Sequence, residues 1–306
     1  NVVVASARGI ELRQSSGVIV ANNYVCRSAS GAAIGMGAVG IRLEGGGGDT
    51  IGGTYLSMGS RFSQGNVVAN CGIGLEVRGR LKWVVEANTF EDNGVGVLVD
   101  GSSDGVIGSE FDTALGASLG NTIRRNGGGS SSPRGGIVVL SGTGIALLRN
   151  SISDNAPVGI DLGGDGETVN DRHDADTGPN NGQNYPALFR VTVGATTEVE
   201  GMLASLPSQA YRLQFFRSAG LNASGHAEGQ FYLGETTVTT DAMDHAYWTV
   251  TLPAVSPGTI VTATATRLSG ATPVETSEFS PGLAAGVSAV PAITGVTPSS
   301  GPAAGG

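Results

Sequence analysis

Six acidic residues fall within one short stretch, at Asp161, Asp165, Glu167, Asp171, Asp174 and Asp176, interleaved with Gly163, Gly164 and Gly166 and followed by Asn180 and Asn181. Carboxylates and side-chain amides spaced by glycine suit Ca²⁺, which takes six to eight oxygen ligands, some of them backbone carbonyls. The expected ligands are Asp165, Asp171, Asp174 and Asp176, with carbonyls completing the shell, and the expected role is structural. The run Asp174-Ala175-Asp176-Thr177-Gly178 is not an EF-hand, because the bidentate Glu at the twelfth position is missing. It is also not the iterated nonapeptide that binds Ca²⁺ in parallel β-rolls. Two other readings stay open: a solvated loop closed by Asx-turns, and a carboxylate pair for glycoside hydrolysis. The latter needs two groups roughly 5–9.5 Å apart. Asp174 with Asp176, or Asp161 stacked near Asp100 or Glu76, would supply them.

Other chemistries have less support. No His precedes His173, and His226 and His245 fall in a different part of the chain, where turn positions suit them better than ligation. Zinc is disfavoured because Cys and His do not cluster. Arg42, Arg78, Arg80, Lys82, Arg124 and Arg125 could serve a polysaccharide lyase, but they follow no tight spacing, and charged residues ordinarily decorate exposed faces. No catalytic residue and no organic cofactor is assigned.

The elements that hold the acidic stretch repeat. Gly, an aliphatic, any residue and an aliphatic recur at Gly9-Ile10-Glu11-Leu12, Gly40-Ile41-Arg42-Leu43, Gly74-Leu75-Glu76-Val77, Gly96-Val97-Leu98-Val99, Gly136-Ile137-Val138-Val139 and Gly159-Ile160-Asp161-Leu162. The glycines are 31, 34, 22, 40 and 23 residues apart, so the unit is the short spacing and the others carry insertions. Fixed periods of this size mark a solenoid. Asn pairs keep step, at Asn66/Asn70, Asn88/Asn93, Asn121/Asn126 and Asn150/Asn155. Asn tolerates left-handed backbone and belongs at corners, where stacked side chains can bond one another. A third short strand lies between the marks, at Val18-Ile19-Val20, Trp83-Val84-Val85, Val106-Ile107 and Ala146-Leu147-Leu148. At ~3.3 Å per residue, a unit of about 22 gives a perimeter near ~73 Å, which is one coil of a three-sided parallel β-helix. The predicted core is Ile10, Leu12, Val18, Val20, Ile41, Leu43, Leu75, Val77, Val97, Val99, Ile137, Val139, Ile160 and Leu162.

After Asn184-Tyr185-Pro186 long alternating runs replace the repeat, at 187–193, 197–203, 211–216, 231–240, 246–252 and 259–267. Short strands separated by turn residues, with Pro253 and Pro257 at their ends, argue for a β-sandwich. The stretch 282–289 reads as a linker. Pro291-Ala292-Ile293-Thr294-Gly295-Val296-Thr297-Pro298 then reads as the first strand of a further domain.

Composition agrees. Of 306 residues 51 are Gly, 40% are hydrophobic and 14% charged. Collagen would need Gly at every third position, and disorder would need far fewer apolar residues. The net charge is −9 and Lys82 is the only lysine, so nucleic acid is disfavoured as a partner. No apolar run approaches the ~18 residues of a membrane span. Cys26 and Cys71 are the only cysteines, and a bridged pair or two small buried residues are both open readings.

Residues 1 to about 182 resemble the right-handed parallel β-helix family of large bacterial secreted and surface proteins. The most specific likeness is to the end-of-helix segment, in Gly159-Ile160-Asp161-Leu162-Gly163-Gly164-Asp165-Gly166, Asn170-Asp171, Asp174 to Asn181 and Gln183-Asn184-Tyr185-Pro186. Arg212 to Phe216, Glu228-Gly229-Gln230 and Thr276 to Ser280 are similar to an immunoglobulin-like domain, and Ile293-Thr294 with Pro298 and Gly301-Pro302 to the start of an IPT/TIG domain. The resemblance implies an all-β protein: a right-handed parallel β-helix over 1–182, an immunoglobulin-like β-sandwich over 183–281, and a linker with the first strand of a truncated or inter-subunit IPT/TIG-like domain over 282–306. It implies an extracellular or cell-surface setting. It does not imply one activity, because this fold hosts many. The expected function is a structural or adhesive module, a rigid spacer that binds glycans or cell-surface components. The alternative is a polysaccharide-active lyase, hydrolase or epimerase. No visible signal peptide and a strand-like Asn1-Val2-Val3-Val4 read as the interior of a longer precursor. Head-to-tail self-association into filaments, with 291–302 lying on another subunit, is the competing expectation.

Overall fold

The computed structural model describes residues 1–4, 7–34, 37–57, 60–110, 119–128 and 133–287. From Val2 to Leu162 the chain winds through three parallel sheets. The Gly–aliphatic motifs form the first, stacked as Arg8–Arg13, Val39–Glu44, Ile73–Arg78, Val95–Asp100, Gly135–Val139 and Ile160–Leu162. The second stacks Ile19–Val20, Thr50–Gly52, Leu81–Glu86, Ser103–Gly108 and Ile145–Leu148. The third stacks Val2–Val3, Tyr24–Val25, Val67–Ala69, Thr89–Glu91, Thr122–Arg124 and Ser151–Ser153. The excursion after Gly53 is an antiparallel hairpin of Thr54–Ser57 with Ser60–Ser63.

Register puts the apolar motif residues in two inward rows. Ile10, Ile41, Leu75, Val97, Ile137 and Ile160 form one, and Leu12, Leu43, Val77, Val99, Val139 and Leu162 the other. Ile10 and Leu12, on the first coil, are half-buried and the rest are buried. Each buried aliphatic contributes ~1.5–3 kcal/mol. The motif glycine is required by a close approach. A Cβ at Gly40, Gly74, Gly96 or Gly136 would meet the carbonyl oxygen of the next glycine in the column at 2.7, 2.6, 2.5 and 2.4 Å respectively. No side chain fits there.

The Asn marks are two buried ladders. In one, each side-chain carbonyl accepts from the amide of the Asn one coil earlier, along Asn23, Asn66, Asn88, Asn121 and Asn150, at 2.9–3.0 Å. The second runs Asn93, Asn126, Asn155. Asn70 stands one residue short of it, and the backbone N–H of Cys71 takes its place on Asn93. These bonds satisfy corner backbone that would otherwise be buried without partners.

The sandwich pairs Ala187–Val193, Thr197–Ala204 and His245–Leu252 in one sheet, and Ala210–Ser218, Phe231–Thr239, Ile260–Ser269 and Thr272–Thr276 in the other. Its core holds Val199, Leu203, Tyr211, Leu213, Phe215, Trp248, Val261 and Ala263. One correction to the expected linker follows from pairing. Leu283–Ala284 joins the edge of Ile260–Ser269, and Gly286–Val287 joins Ala187–Val193, so 283–287 belongs to the sandwich. Residues 288–306, on which the further-domain and filament readings rest, lie outside the described residues.

The sandwich seals the last coil. A solenoid end presents unpaired strand groups that must be covered. Here Leu147 N–H donates to Thr276 Oγ1 at 2.8 Å, Arg149 N–H to Gln214 at 3.2 Å, Ile152 N–H to the Gly229 carbonyl at 2.9 Å, Asn155 N–H to Glu228 at 3.2 Å and Leu162 N–H to Glu278 at 2.7 Å. Glu228 also accepts from Asn155 Nδ2 at 2.9 Å, which ends the second Asn ladder. Phe216 and Phe279, edge to face at 5.6 Å, complete the solenoid core from outside it. The loop after Leu162 covers only a small part of the end. Its contribution is Asn180, which accepts from Ile145 N–H and donates to the Ile145 carbonyl.

Burial pushes the carboxyl of Glu228 up to about 7 and that of Glu278 up to about 8, against the hydrogen bonds that favour their charged forms. A pKa raised on folding means stability present in full below the unfolded value and lost as pH rises through the folded one. The joint is therefore expected to weaken as pH rises from the ordinary carboxyl value of 4.5 to about 8, by on the order of a few kcal/mol. Melting temperatures across that window check this. Glu228→Gln with Glu278→Gln should flatten the profile, and an unchanged slope in that variant would reject the assignment.

Candidate metal centre

The loop 163–184 turns sharply beside the joint. His173, Asp174, Asn180 and Asn181 have left-handed backbone, with φ of 66, 52, 46 and 54°. Short polar side chains tolerate that region best. The result brings together three of the four expected ligands: one carboxylate oxygen from each of Asp171, Asp174 and Asp176, all within 4.8 Å of one another. Asp165 is not in this group. It lies in the turn after the last solenoid strand, beside Asp161, whose carboxylate closes that turn by accepting from Gly164 N–H at 2.8 Å and Gly166 N–H at 3.2 Å.

Asp174 anchors the cluster. It is buried and accepts from Asn184 N–H at 2.9 Å, Gln183 Nε2 at 3.0 Å and the Ser205 hydroxyl. Asn184 holds Asp171 in turn: its Oδ1 accepts from Asp171 N–H and its Nδ2 donates to the Asp171 carbonyl, at 3.0 and 2.9 Å. Asp176 packs against Gly182, where a Cβ would fall 2.2 Å from the carboxylate and where φ is +63°. Burial, with Asp176 and Asp171 nearby, pushes Asp174 up to about 6. Burial and Asp171 raise Asp176 as well. Asp171 Oδ1 and Asp176 Oδ1 are shut off from solvent without a hydrogen-bond partner. A hard cation would satisfy both oxygens and relieve the repulsion. The adjoining cleft, about 460 Å³, is lined also by Asn181, Gln183, Arg267 and Glu275. Gln183 and Asn184 belong to the segment that carries the sequence resemblance. Ser205 comes from the sandwich, and nothing local in the sequence marks it.

Arg42, Arg78, Arg80, Arg124 and Arg125 are each bound to carboxylates. Glu11, Arg42 and Glu76 stack in register on the outside of the first sheet, as do Arg13, Glu44, Arg78 and Asp100, so opposite charges alternate along the column. Arg78 meets Asp100 at 2.8 Å and Arg42 meets Glu76 at 3.5 Å. Buried Glu91 takes Arg27, Arg124 and Arg125, and Arg125 also holds Asp92 at 2.8 Å. Arg80 is fully buried against Asp49. The proposed pairing of Asp161 with Glu76 fails on register: Asp161, Val138, Leu98 and Glu76 are successive neighbours, so three strand spacings, about 14 Å, separate the two carboxylates. Asp100, in the adjoining outer column, is held by Arg78 and Ser141. The Gly-x-Ser-x-Gly spacing at Gly101–Gly105 is no nucleophile elbow, because Ser103 opens a strand of the second sheet. A cleft of about 840 Å³ at a solenoid corner is lined chiefly by glycine and small apolar groups, among them Gly72, Ile73, Gly94 and Val95, beside the Asp92–Arg125 pair.

Stacked parallel sheets closed by two antiparallel ones define an all-β protein, a right-handed parallel β-helix followed by an immunoglobulin-like β-sandwich. Residues 8–172 match the family model described as the right-handed beta helix region, more than half of the chain, and the chain belongs to that family. Among curated proteins none matches it. Among the described residues no helix is long and apolar enough to cross a membrane.

Proposed function

We propose that this protein is an extracellular structural and adhesive module, a rigid β-helical spacer that presents its faces to glycans or cell-surface components without catalysing a reaction. The observation that carries this reading is the commitment of charge. On the first sheet carboxylates and guanidinium groups pair in columns of opposite sign, and at the corner cleft Glu91 and Asp92 are already neutralised by Arg27, Arg124 and Arg125. Such columns stiffen a stack, since each pair links two coils. A lyase or hydrolase would need a base or an acid–base pair free to meet substrate. Incubation with a panel of acidic and neutral glycans, with and without Ca²⁺, tests the reading. Binding without turnover is expected. New reducing ends or unsaturated uronates would overturn it in favour of the polysaccharide-active alternative.

The same proposal places a structural Ca²⁺ on Asp171, Asp174 and Asp176, where it would tie the loop to the sandwich through Asp174 and Ser205. Support comes from the convergence of the three carboxylates and the two sequestered oxygens. With the ion at about a hundred times its dissociation constant, stabilisation would be ~2.7 kcal/mol. Chelation is expected to lower the melting temperature by several degrees, and Asp174→Ala with Asp176→Ala to abolish that difference. Asp176→Asn, which leaves every bond to Asp174 in place, should weaken it. Equal melting with chelator and with millimolar Ca²⁺ would leave a solvated acidic loop.

A further inference from the structure

Cys26 directly follows the third-sheet strand Tyr24–Val25 of the first coil, and Cys71 follows the equivalent strand one coil on, where Val68 pairs with Val25. Both side chains point into the solenoid core and are buried, at 0% and 4% exposure. Their sulfurs lie 2.6 Å apart although they stand as separate thiols. That is well inside the roughly 3.5–4.0 Å at which even carbon atoms settle without a bond. Room for the Cys71 sulfur comes from Gly40, where a Cβ would sit 3.1 Å from Sγ. The position in the stack matters too. Later coils are cross-linked at this corner by Asn93, Asn126 and Asn155, and Cys71 ends that ladder with its backbone alone. Between the first two coils the sulfurs occupy the place of the missing amide bond.

We infer that Cys26 and Cys71 form a disulfide that staples the first coil to the second. The oxidant is an external disulfide, RSSR. The Cys71 thiolate attacks one of its sulfurs, forming a mixed disulfide and expelling RS⁻. The Cys26 thiolate then attacks the Cys71 sulfur and expels the second RS⁻. Two electrons pass from the cysteines to the external disulfide, and the two thiol protons end on two molecules of RSH. Exchange takes place before the first coil docks, because docking buries both sulfurs. The staple adds a covalent link at a corner that the next coils join through side-chain amides. It closes a loop between positions 45 apart in sequence, long enough for a sizeable loss of unfolded-state entropy.

The test uses the full chain, folded in a mixture of reduced and oxidised glutathione and then denatured with iodoacetamide but no reductant. Intact mass is expected to show no alkylation and to be about 2 Da below the dithiol, with one peptide pair joining Cys26 to Cys71. Wild type refolded with reductant should melt roughly 5–10 °C below wild type refolded with the glutathione mixture, and Cys26→Ser/Cys71→Ser should melt the same after either. Two alkylated cysteines after oxidative folding, or disulfide-linked dimers, would overturn the assignment. The mass measurement stands whether or not the double variant folds.

Discussion

Asp49→Ala is expected to cost about 3–5 kcal/mol of stability, because it strands a buried cation. Asp49 and the Arg80 side chain are both fully buried. The carboxylate also accepts from Val18 N–H at 2.7 Å and the Ser15 hydroxyl at 2.9 Å. Arg80 reaches back across the stack to the Ser15 carbonyl and hydroxyl at 3.1 and 2.9 Å, and to the Gly45 carbonyl. One ion pair therefore ties three successive coils at a corner. Truncating the acid leaves the guanidinium with neutral acceptors only, too few to replace its hydration. Removing both charges, as Asp49→Leu with Arg80→Met, should cost much less than the single change, since desolvation of the pair disappears with it. Urea unfolding midpoints measure both. A single substitution no worse than the double would show that the pair is not the source of stability.

Asn121→Ala should be comparably severe, at about 3–5 kcal/mol, since each stranded buried group costs ~1–3 kcal/mol. Asn121 Oδ1 accepts from both Asn88 N–H and Asn88 Nδ2 at 3.0 Å, and its Nδ2 donates to Asn150 Oδ1 at 2.9 Å and the Val85 carbonyl at 2.7 Å. Alanine leaves Asn88 N–H and the Val85 carbonyl buried without these partners. Asn121→Asp should also be costly, because a carboxylate keeps the acceptor but lacks the donors. Thermal melts of both variants measure the losses. A loss under about 1 kcal/mol for Asn121→Ala would reject the ladder as a source of stability.

How far the site could be read from sequence depends on which contacts are local. The convergence of Asp171, Asp174 and Asp176 arises within one loop whose turn residues are themselves visible in the sequence, Asn180 and Asn181 among them. Asp165 falls outside for an equally local reason, because Asp161 folds the Gly163–Gly166 turn onto itself. The partners that fix Asp174 come from further away: Gln183 and Asn184 from the same loop, Ser205 from the sandwich. Glu228, between His226 and Gln230, and Glu278, three residues after Glu275, read in the sequence as ordinary surface acids. What they accept from, the open N–H groups of Asn155 and Leu162, became evident only once the second domain was seated on the end of the first.

The coil itself was determined by sequence. Alternation within six residues chooses the buried face, and the glycine column and corner asparagines set the pitch, because each reports a requirement met by its nearest stacked neighbour. The row Ile10, Ile41, Leu75 follows from this, as do the two sheets of the sandwich. Tertiary structure decided which charges meet. The motif glycines are 31, 34, 22, 40 and 23 residues apart, so insertions erase any fixed sequence distance between stacked side chains. Arg80, which reads as one more surface cation, is carried by that stacking into a corner with Asp49. Cys26 and Cys71, 45 positions apart, become neighbours only when Val25 pairs with Val68. The joint was decided the same way: hydrogen bonds that cap a sheet edge depend on where another domain's acceptors lie in space, and no local pattern in the chain encodes that position.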